Sequence, residues 1–382
     1  MKRRRRSDGA KAGIIRACHA GLGSARMRQE VIDRLRRVVP FDAVCFPTAD
    51  PATLMITGNV GEGLPPEASR GFARVEYTME DYNKFSRLAR SRRTVRSLSN
   101  ATVGRFERSA RWREVFGPLG FNDDLRAALV ADGSCWGFLA LHRHAQNGWF
   151  SEEEIRFIAE LAPHFAEGLR KALLLESVAA GHSGEGPGLI LLDDQLRVVS
   201  TTAPARYWLA ELGRSGPDIG GLHGAILAAA SSLQALERES AGEDLVPRSR
   251  LRTESGRWLV VHASRLAGEE QEGRIAVILE LAQPLEIAPL IAAAYGLSDR
   301  ERQVLQQVLI GLSTSDICAA LFISANTVQD HLKSIFEKTG VRSRRDLVAQ
   351  IFTQQYLPRM MDRAKLGPDG WFADASSQGG GK

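Results

Sequence analysis

Apolar residues recur at helical spacing over Met27, Val31, Leu35 and Val38, and again over Ile155, Ile158, Leu161, Phe165, Leu169 and Leu173. This rhythm marks helices with one buried face. The second run starts behind Ser151-x-x-Glu154, the spacing of a capping box. Between the two helices the pattern becomes that of strands: residues 125–130 and 135–141 flank Asp132-Gly133-Ser134, where glycine tolerates the positive φ of a hairpin turn. A second strand-rich segment follows. Leu189-Ile190-Leu191-Leu192, a polar turn at Asp193-Asp194-Gln195 and a strand over 196–201 lead into a helix through Trp208. Trp258–Ser264 and Arg274–Leu281 add strands, giving an antiparallel α+β pattern.

From Leu297 the chain turns to short helices whose starts are legible from their caps. Ser298-x-x-Glu301 opens one that buries Val304, Leu305, Val308 and Leu309 and stops at Gly311. Ser313-x-x-Asp316 opens a second that buries Ile317, Ala320 and Leu321. Only Phe322 and Ile323 separate it from Ser324, the expected cap of a third helix burying Val328, Leu332, Ile335 and Phe336. Gly340 closes the third, and Ser343-x-x-Asp346 opens a fourth with Leu347, Val348 and Ile351. Two short helices joined by so tight a turn and braced by others fit a DNA-reading helix-turn-helix, or a small helical bundle without a nucleic-acid partner.

A length of 382 residues exceeds one ordinary core. Gly, Ser and Pro clusters at Ala180–Gly188 and beyond Leu366, with a softer break at Pro284–Pro289, mark the boundaries. They divide the chain into a basic disordered tail (1–20), an α+β block (21–176), a linker (177–187), a second α+β block (188–283), a linker (284–294), a helical block (295–356) and a flexible tail (357–382). At 44% hydrophobic and 25% charged residues, the composition is that of a globular protein. The net charge of +5 says little about DNA, because Lys2 and Arg3 to Arg6 supply all of the excess. No apolar run approaches a membrane helix, and the basic start is not followed by a signal-peptide core, so a cytoplasmic location is expected. Cys18, Cys45, Cys135 and Cys318 share no metal-binding spacing, and neither a metal nor another cofactor is implied.

The helical block closely resembles the LuxR/FixJ family through Leu297-Ser-Asp-Arg-Glu-Arg-Gln-Val-Leu305, Gly311-Leu-Ser-Thr-Ser-Asp-Ile317 and Leu321-Phe-Ile-Ser-Ala-Asn-Thr-Val328, continued by His331, Lys338, Gly340, Val341 and Ser343-Arg344. The resemblance implies an all-α four-helix domain that binds double-stranded DNA as a dimer, its third helix in the major groove. Asn326, Gln329, Asp330, Lys333 and Glu337 lie opposite the buried stripe of that helix. Gln329 can pair with adenine, Asp330 can accept from cytosine, and Lys333 can donate to guanine or phosphate. Asp330 departs from the basic or small residue frequent there and reads as a specificity element or as a tolerated exposed acid. Ser324, Thr327, Arg342, Arg344 and Arg345 sit where phosphates are held. For Arg344 and Arg345 plain surface placement is an equal alternative, and His331 reads as a packed residue more readily than as a base reader.

The first block, from its opening helix through Gly133-Ser-Cys-Trp-Gly-Phe-Leu-Ala-Leu141 to its closing helix, resembles a GAF domain. That implies a pocket for a small-molecule effector or a dimerising surface. Tyr82, Phe85, Trp112, Phe116, Phe121 and Trp136 could line the pocket or simply form core. The second block resembles a PAS domain more weakly, and His223 and His262 lack the context of haem ligands. The order of blocks resembles actinobacterial regulators that pair a GAF-type input with a LuxR-type output. The closing helix, 151–175, could serve a dimer interface or the core. Repeated βα units of a phosphorylated receiver do not occur, and the ligand-binding set of a homoserine-lactone pocket cannot be placed.

No GxSxG, HExxH, Walker or GxGxxG motif occurs in its required context, so no enzyme is expected. The expectation is a dimeric, sequence-specific regulator acting with the transcription machinery under control of its N-terminal blocks. The alternative is a signalling adaptor or ligand-binding scaffold whose helical C-terminus contacts protein.

Overall fold

The computed structural model of the chain describes residues 2–65, 68–175, 186–213, 222–238, 247–266, 273–282 and 284–349. The tail 357–382, most of the linker 177–187 and Ile351 lie outside these residues. Two compact units emerge, one holding both sheet-bearing segments up to residue 280, the other built mainly from residues beyond 281.

The first unit begins with helices α1 (Lys2–Cys18) and α2 (Ser24–Leu35), strands β1 (Ala43–Ala49) and β2 (Ile56–Glu62), and helices α3 (Ala68–Thr78) and α4 (Phe85–Ala89). It continues through β3 (Val95–Ser97), α5 (Leu98–Thr102), β4 (Phe121–Ala131), β5 (Ser134–His144) and α6 (Glu152–Leu175). The strands form one antiparallel sheet in the order β2-β1-β5-β4-β3. Asp132 and Gly133 form the two-residue turn between β4 and β5, both at positive φ, which matches the twist of the hairpin.

The expected disordered tail is instead the helix α1. Its basic residues hid a short apolar face, Ile14, Ala17 and Cys18, which is buried against α2 and α6. Gly168 lets α6 approach this closely, since a Cβ there would stand 2.9 Å from the Cys18 carbonyl oxygen. The capping box of α6 forms as the spacing required, Ser151 Oγ accepting from the Glu154 amide and Glu154 accepting from the Ser151 amide. Ile158, Leu161, Phe165 and Leu169 are all buried within the unit, so the stripe on α6 serves its core.

After the first block come β6 (Gly188–Leu192), β7 (Val198–Thr201), α7 (Ala203–Glu211), α8 (Gly224–Glu237), β8 (Arg248–Arg252), β9 (Trp258–Arg265) and β10 (Ile275–Leu281). Their sheet runs β7-β6-β10-β9-β8, which repeats the strand order of the first sheet. The second block is not separate from the first. Helix α8 lies against α3 and β2, and β8 against β2. Asp50, at the end of β1, accepts from the amide, Nε and Nη2 of Arg250 at 3.1, 2.8 and 2.6 Å. Arg252 reaches the carbonyl of Leu173 at 3.1 Å. Sequence patterning overlooked α8 because it has no polar face: every side chain from Ala225 to Ser232 is buried, as befits a helix covered on all sides.

The second unit contains α9 (Pro284–Ala294), α10 (Asp299–Leu309), α11 (Thr314–Leu321), α12 (Ala325–Thr339) and a helix over 344–349. Residues 284–294, expected as a linker, are thus helical. Pro284 occupies a first-turn position that needs no amide hydrogen, and the apolar residues behind it include buried Ile287, Leu290, Ile291 and Ala292. The caps of α10, α11 and α12 fall at Ser298, Ser313 and Ser324. Val304, Leu305, Val308, Ile317, Val328, Leu332, Ile335 and Leu347 form the common core. Ala320, expected inside, is exposed, because α11 turns Ile317, Cys318 and Leu321 inward.

His223 caps α8 by accepting from the Ala225 amide through Nδ1 at 3.2 Å. Burial pushes both His223 and the β5 residue His142 down to about 4. The unfolded chain therefore takes up these two protons below its histidine pKa near 6.5, whereas the folded unit resists until about pH 4. Stability of the first unit should fall between pH 6.5 and 4, by on the order of 3 kcal/mol per histidine. Urea unfolding across that range checks this. His223→Asn, which keeps a capping oxygen, should remove roughly one proton from the dependence, and an unaltered slope would contradict the assignment.

Candidate functional site

Helix α12 has two faces of opposite character. Val328, Leu332 and Ile335 point into the core, and Asn326, Gln329, Asp330, Lys333 and Glu337 are exposed on the other side. Four of the latter, from Asn326 to Lys333, lie within the first nine residues of the helix and bring two amides, an acid and an ammonium group to one surface. Ser324 is also exposed, and its hydroxyl caps α12 by accepting from the Thr327 amide at 3.1 Å. Thr327 is half-buried, with its hydroxyl 2.9 Å from that of Ser324. Arg342 and Arg345 are exposed. Arg344 is not: it is half-buried and donates through Nη1 to the Leu312 carbonyl at 3.4 Å, tying the helix over 344–349 to the loop between α10 and α11.

A residue read only as a helix cap holds this surface in place. Glu301, on α10 and 5% exposed, accepts from the Ser298 amide at 2.6 Å, from Ser334 Oγ at 2.5 Å and from Lys338 Nζ at 2.7 and 3.0 Å. Ser334 and Lys338 lie on α12, so one carboxylate completes the α10 cap and pins the second half of the exposed helix. Burial raises its pKa, but the bonds from Lys338, Ser334 and Ser298 outweigh that and hold it at about 2. The Ser298-x-x-Glu301 spacing signalled the cap; the reach to Lys338 depends on how α10 crosses α12. Phe322, in the turn before α12, is 94% exposed at φ 55°, a conformation costly for a residue with a Cβ.

In the first unit, a cavity of about 80 Å³ opens between the sheet, α3 and α8. Of the six aromatic candidates only Phe85 and Phe116 line it. Tyr82 lines an outer polar groove under Arg108. Trp112 donates through Nε1 to the Phe121 carbonyl at 3.0 Å, Phe121 stacks on His144 with centroids 4.1 Å apart, and Trp136 is buried elsewhere. The sequence pattern missed Cys45, Phe72, Tyr77 and His142, and above all Leu227 of the second block. These residues come from four separate elements, β1, α3, β5 and α8, and only the fold brings them together.

Behind the cavity wall lies a buried ionic network. Arg111 pairs with Asp81 at 2.9 Å and with Asp124 at 3.1 Å, and Arg126 pairs with Glu76 at 2.8 Å and lies 3.2 Å from Asp124. Arg126 also stacks over Phe85, 4.0 Å from its centroid. Burial pushes the carboxyls of Asp124 and Glu76 up, but the guanidinium groups prevail and hold both below the usual range. Among the described residues no group of three His, Cys, Asp or Glu side chains could hold a metal ion, and no helix is long and apolar enough to cross a membrane.

Residues 296–351 match the family model of bacterial regulatory proteins, luxR family, and residues 26–169 match that of the GAF domain. The CsgBAC operon transcriptional regulatory protein of Escherichia coli strain K12 is 42% identical over 53 residues, 14% of this chain and 24% of that protein. The chain thus spans about a quarter of the length of that relative. The spore germination protein GerE of Bacillus subtilis strain 168 is 34% identical over 55 residues, 14% of this chain and 74% of that protein. Among solved structures, the GAF domain of an Acinetobacter phosphoenolpyruvate-protein phosphotransferase aligns at 13% identity with a TM-score of 0.31, covering 44% of this chain and 96% of that domain.

Replacing Glu301 by Gln should destabilise the second unit by about 1 to 3 kcal/mol, since Lys338 then loses its counter-charge. Because the folded carboxyl titrates at about 2, below its ordinary value near 4.5, its contribution is full above pH 4.5 and disappears as the pH falls towards 2. Urea melts monitored by circular dichroism should show the gap between wild type and variant closing over that interval. A gap that persists at pH 2 would mean the charge is not what holds α12.

Proposed function

The chain belongs to the luxR family of bacterial regulatory proteins, and from that premise we propose that it is a sequence-specific DNA-binding transcriptional regulator whose first unit receives a small-molecule signal. The observation that carries this reading is the exposed half-helix of α12, where Asn326, Gln329, Asp330 and Lys333 offer donors and acceptors to base edges. Ser324, Thr327, Arg342 and Arg345 flank it as phosphate contacts. Arg344, partly committed to the Leu312 carbonyl, acts as a brace with a lesser share in binding. The protein acts in the cytoplasm as a homodimer in which two such helices read half-sites about one helical turn, ~10 base pairs, apart. From there it influences the transcription machinery.

The GAF match and the cavity beside Phe85 and Phe116 support the input assignment. We further read the second block, 188–283, as PAS-like. Its support is the strand order, which repeats that of the GAF sheet. Phe322 favours a second reading, in which the helical unit contacts a protein: an almost fully exposed aromatic ring in a tight turn is suited to an apolar partner surface.

Capture and sequencing of genomic DNA on the full-length protein separates the two. Regulator function requires recurrent sites whose binding weakens steeply with salt, and Lys333→Ala should lower the salt slope by about 1 if that ammonium meets a phosphate. Salt-insensitive capture of protein and no enriched DNA would favour the adaptor. Asp330→Ala should relax base preference at one position and weaken the cognate site by about 1 to 3 kcal/mol. Selection from random DNA that returns an unchanged motif would reduce Asp330 to a bystander.

A further inference from the structure

We propose that the cavity of the first unit is a binding site for an uncharged, single-ring-sized molecule bearing a hydroxyl or N–H group, closed by α8 of the second sheet block. The inference rests on reading the first unit as the input of a regulator, and adds to it the ligand class and the element that senses occupancy.

Size comes first. A water-sized group needs about 10–15 Å³ of such volume, so 80 Å³ accommodates roughly six of them, the bulk of one small ring. Phe72, Phe85, Phe116 and Leu227 make most of the wall apolar. Two polar residues of the lining stand out. His142 is 1% exposed, and its Nδ1 has no hydrogen-bond partner among the described residues; the same holds for the buried Asn59 Oδ1. Buried polar atoms left unpaired are costly. Asn59 Oδ1 can only accept, so the complementary ligand brings a donor, and a neutral imidazole completes the pairing in whichever tautomer the ligand selects.

Charge decides the rest. His142 is neutral near pH 7, since burial pushes it down to about 4. Behind the wall, Glu76, Asp81 and Asp124 are matched by Arg111, Arg126 and the neighbouring Lys84, which leaves no net positive charge to hold an anion. Each of these carboxylates is already engaged by a guanidinium, leaving none for a cation. A neutral ligand remains.

The lid belongs to this chain's own second block. Gly224 and Leu227, both on α8, line the cavity opposite the first sheet, and a Cβ on Gly224 would stand 4.0 Å from Ile56 Cγ2. The Asp50–Arg250 bonds fasten the same two blocks. A bound molecule therefore bridges them and holds α8 down.

The test uses the full chain with phenol as probe, toluene and benzoate as controls, calorimetry for binding and amide hydrogen exchange for α8. Phenol should bind saturably, toluene at least about tenfold more weakly and benzoate not measurably; exchange across residues 224–237 should slow about threefold or more when phenol is bound. Leu227→Trp, which fills the space, should weaken phenol binding at least about tenfold. Absence of phenol binding, benzoate binding as tight as phenol, or phenol binding with unchanged exchange in α8 overturns the proposal, and none of these depends on a variant that must fold. DNA capture on the same preparation keeps the readings apart. Phenol binding without DNA binding leaves the cavity proposal standing and removes the regulator, and DNA binding without phenol binding does the reverse.

Discussion

A helix without a polar face must be covered on every side, and α8 imposes that requirement on the first unit. From Ala225 to Ser232 every side chain, the hydroxyls of Ser231 and Ser232 included, is withdrawn from water, so one sheet alone cannot bury it. The second sheet takes one side, α3 and β2 the other. Two blocks of equal strand order are thereby joined into one unit instead of hanging as beads on a linker. The Asp50–Arg250 pair, with one partner on each side and both largely withdrawn from water, adds direction to an otherwise non-directional contact.

Beneath this joint the first sheet carries an unusual amount of buried charge. Arg111 and Arg126, 1% and 0% exposed in their side chains, are tolerable only because Asp81, Asp124 and Glu76 surround them. Removing one member would strand the others, which makes such a lattice better at fixing geometry than at adding stability. Here it fixes the loop between α3 and α4: Glu76 accepts from the Phe85 amide, and Arg111 and Arg126 donate to the carbonyls of Tyr82 and Asn83. The ring of Phe85, held from below by Arg126, can then serve as a rigid cavity wall.

The second unit solves a different problem, presenting a polar helix face while holding its other face still. Apolar packing through Val328, Leu332 and Ile335 supplies adhesion, and Glu301 supplies register by gripping Ser334 and Lys338 one turn apart. Local capping and long-range clamping share a single carboxylate, so the start of α10 and the angle of α12 are set together.

What the sequence determined by itself was local. Serine caps with an acid three residues on, glycines ending helices, the Asp132-Gly133 turn and single-faced apolar stripes each encode their element through interactions within a few residues, and α2, the β4–β5 hairpin, α6 and α10 to α12 were legible for that reason. So was the outward face of α12, because a helix whose buried stripe is known has its opposite side fixed by the 3.6-residue period. Elements whose signal is not periodic were missed or misread: α8 is apolar all round, the apolar face of α1 is masked by basic neighbours, and α9 carries prolines that suggest a break. The tertiary structure alone decided that Arg344 turns inward to Leu312, that Trp112 and Phe121 serve each other, and that His142, Asn59 and Leu227 meet around one cavity. Such meetings depend on strand order and helix crossing, which arise from the summed burial of many weakly specific apolar contacts and leave no mark at any one position.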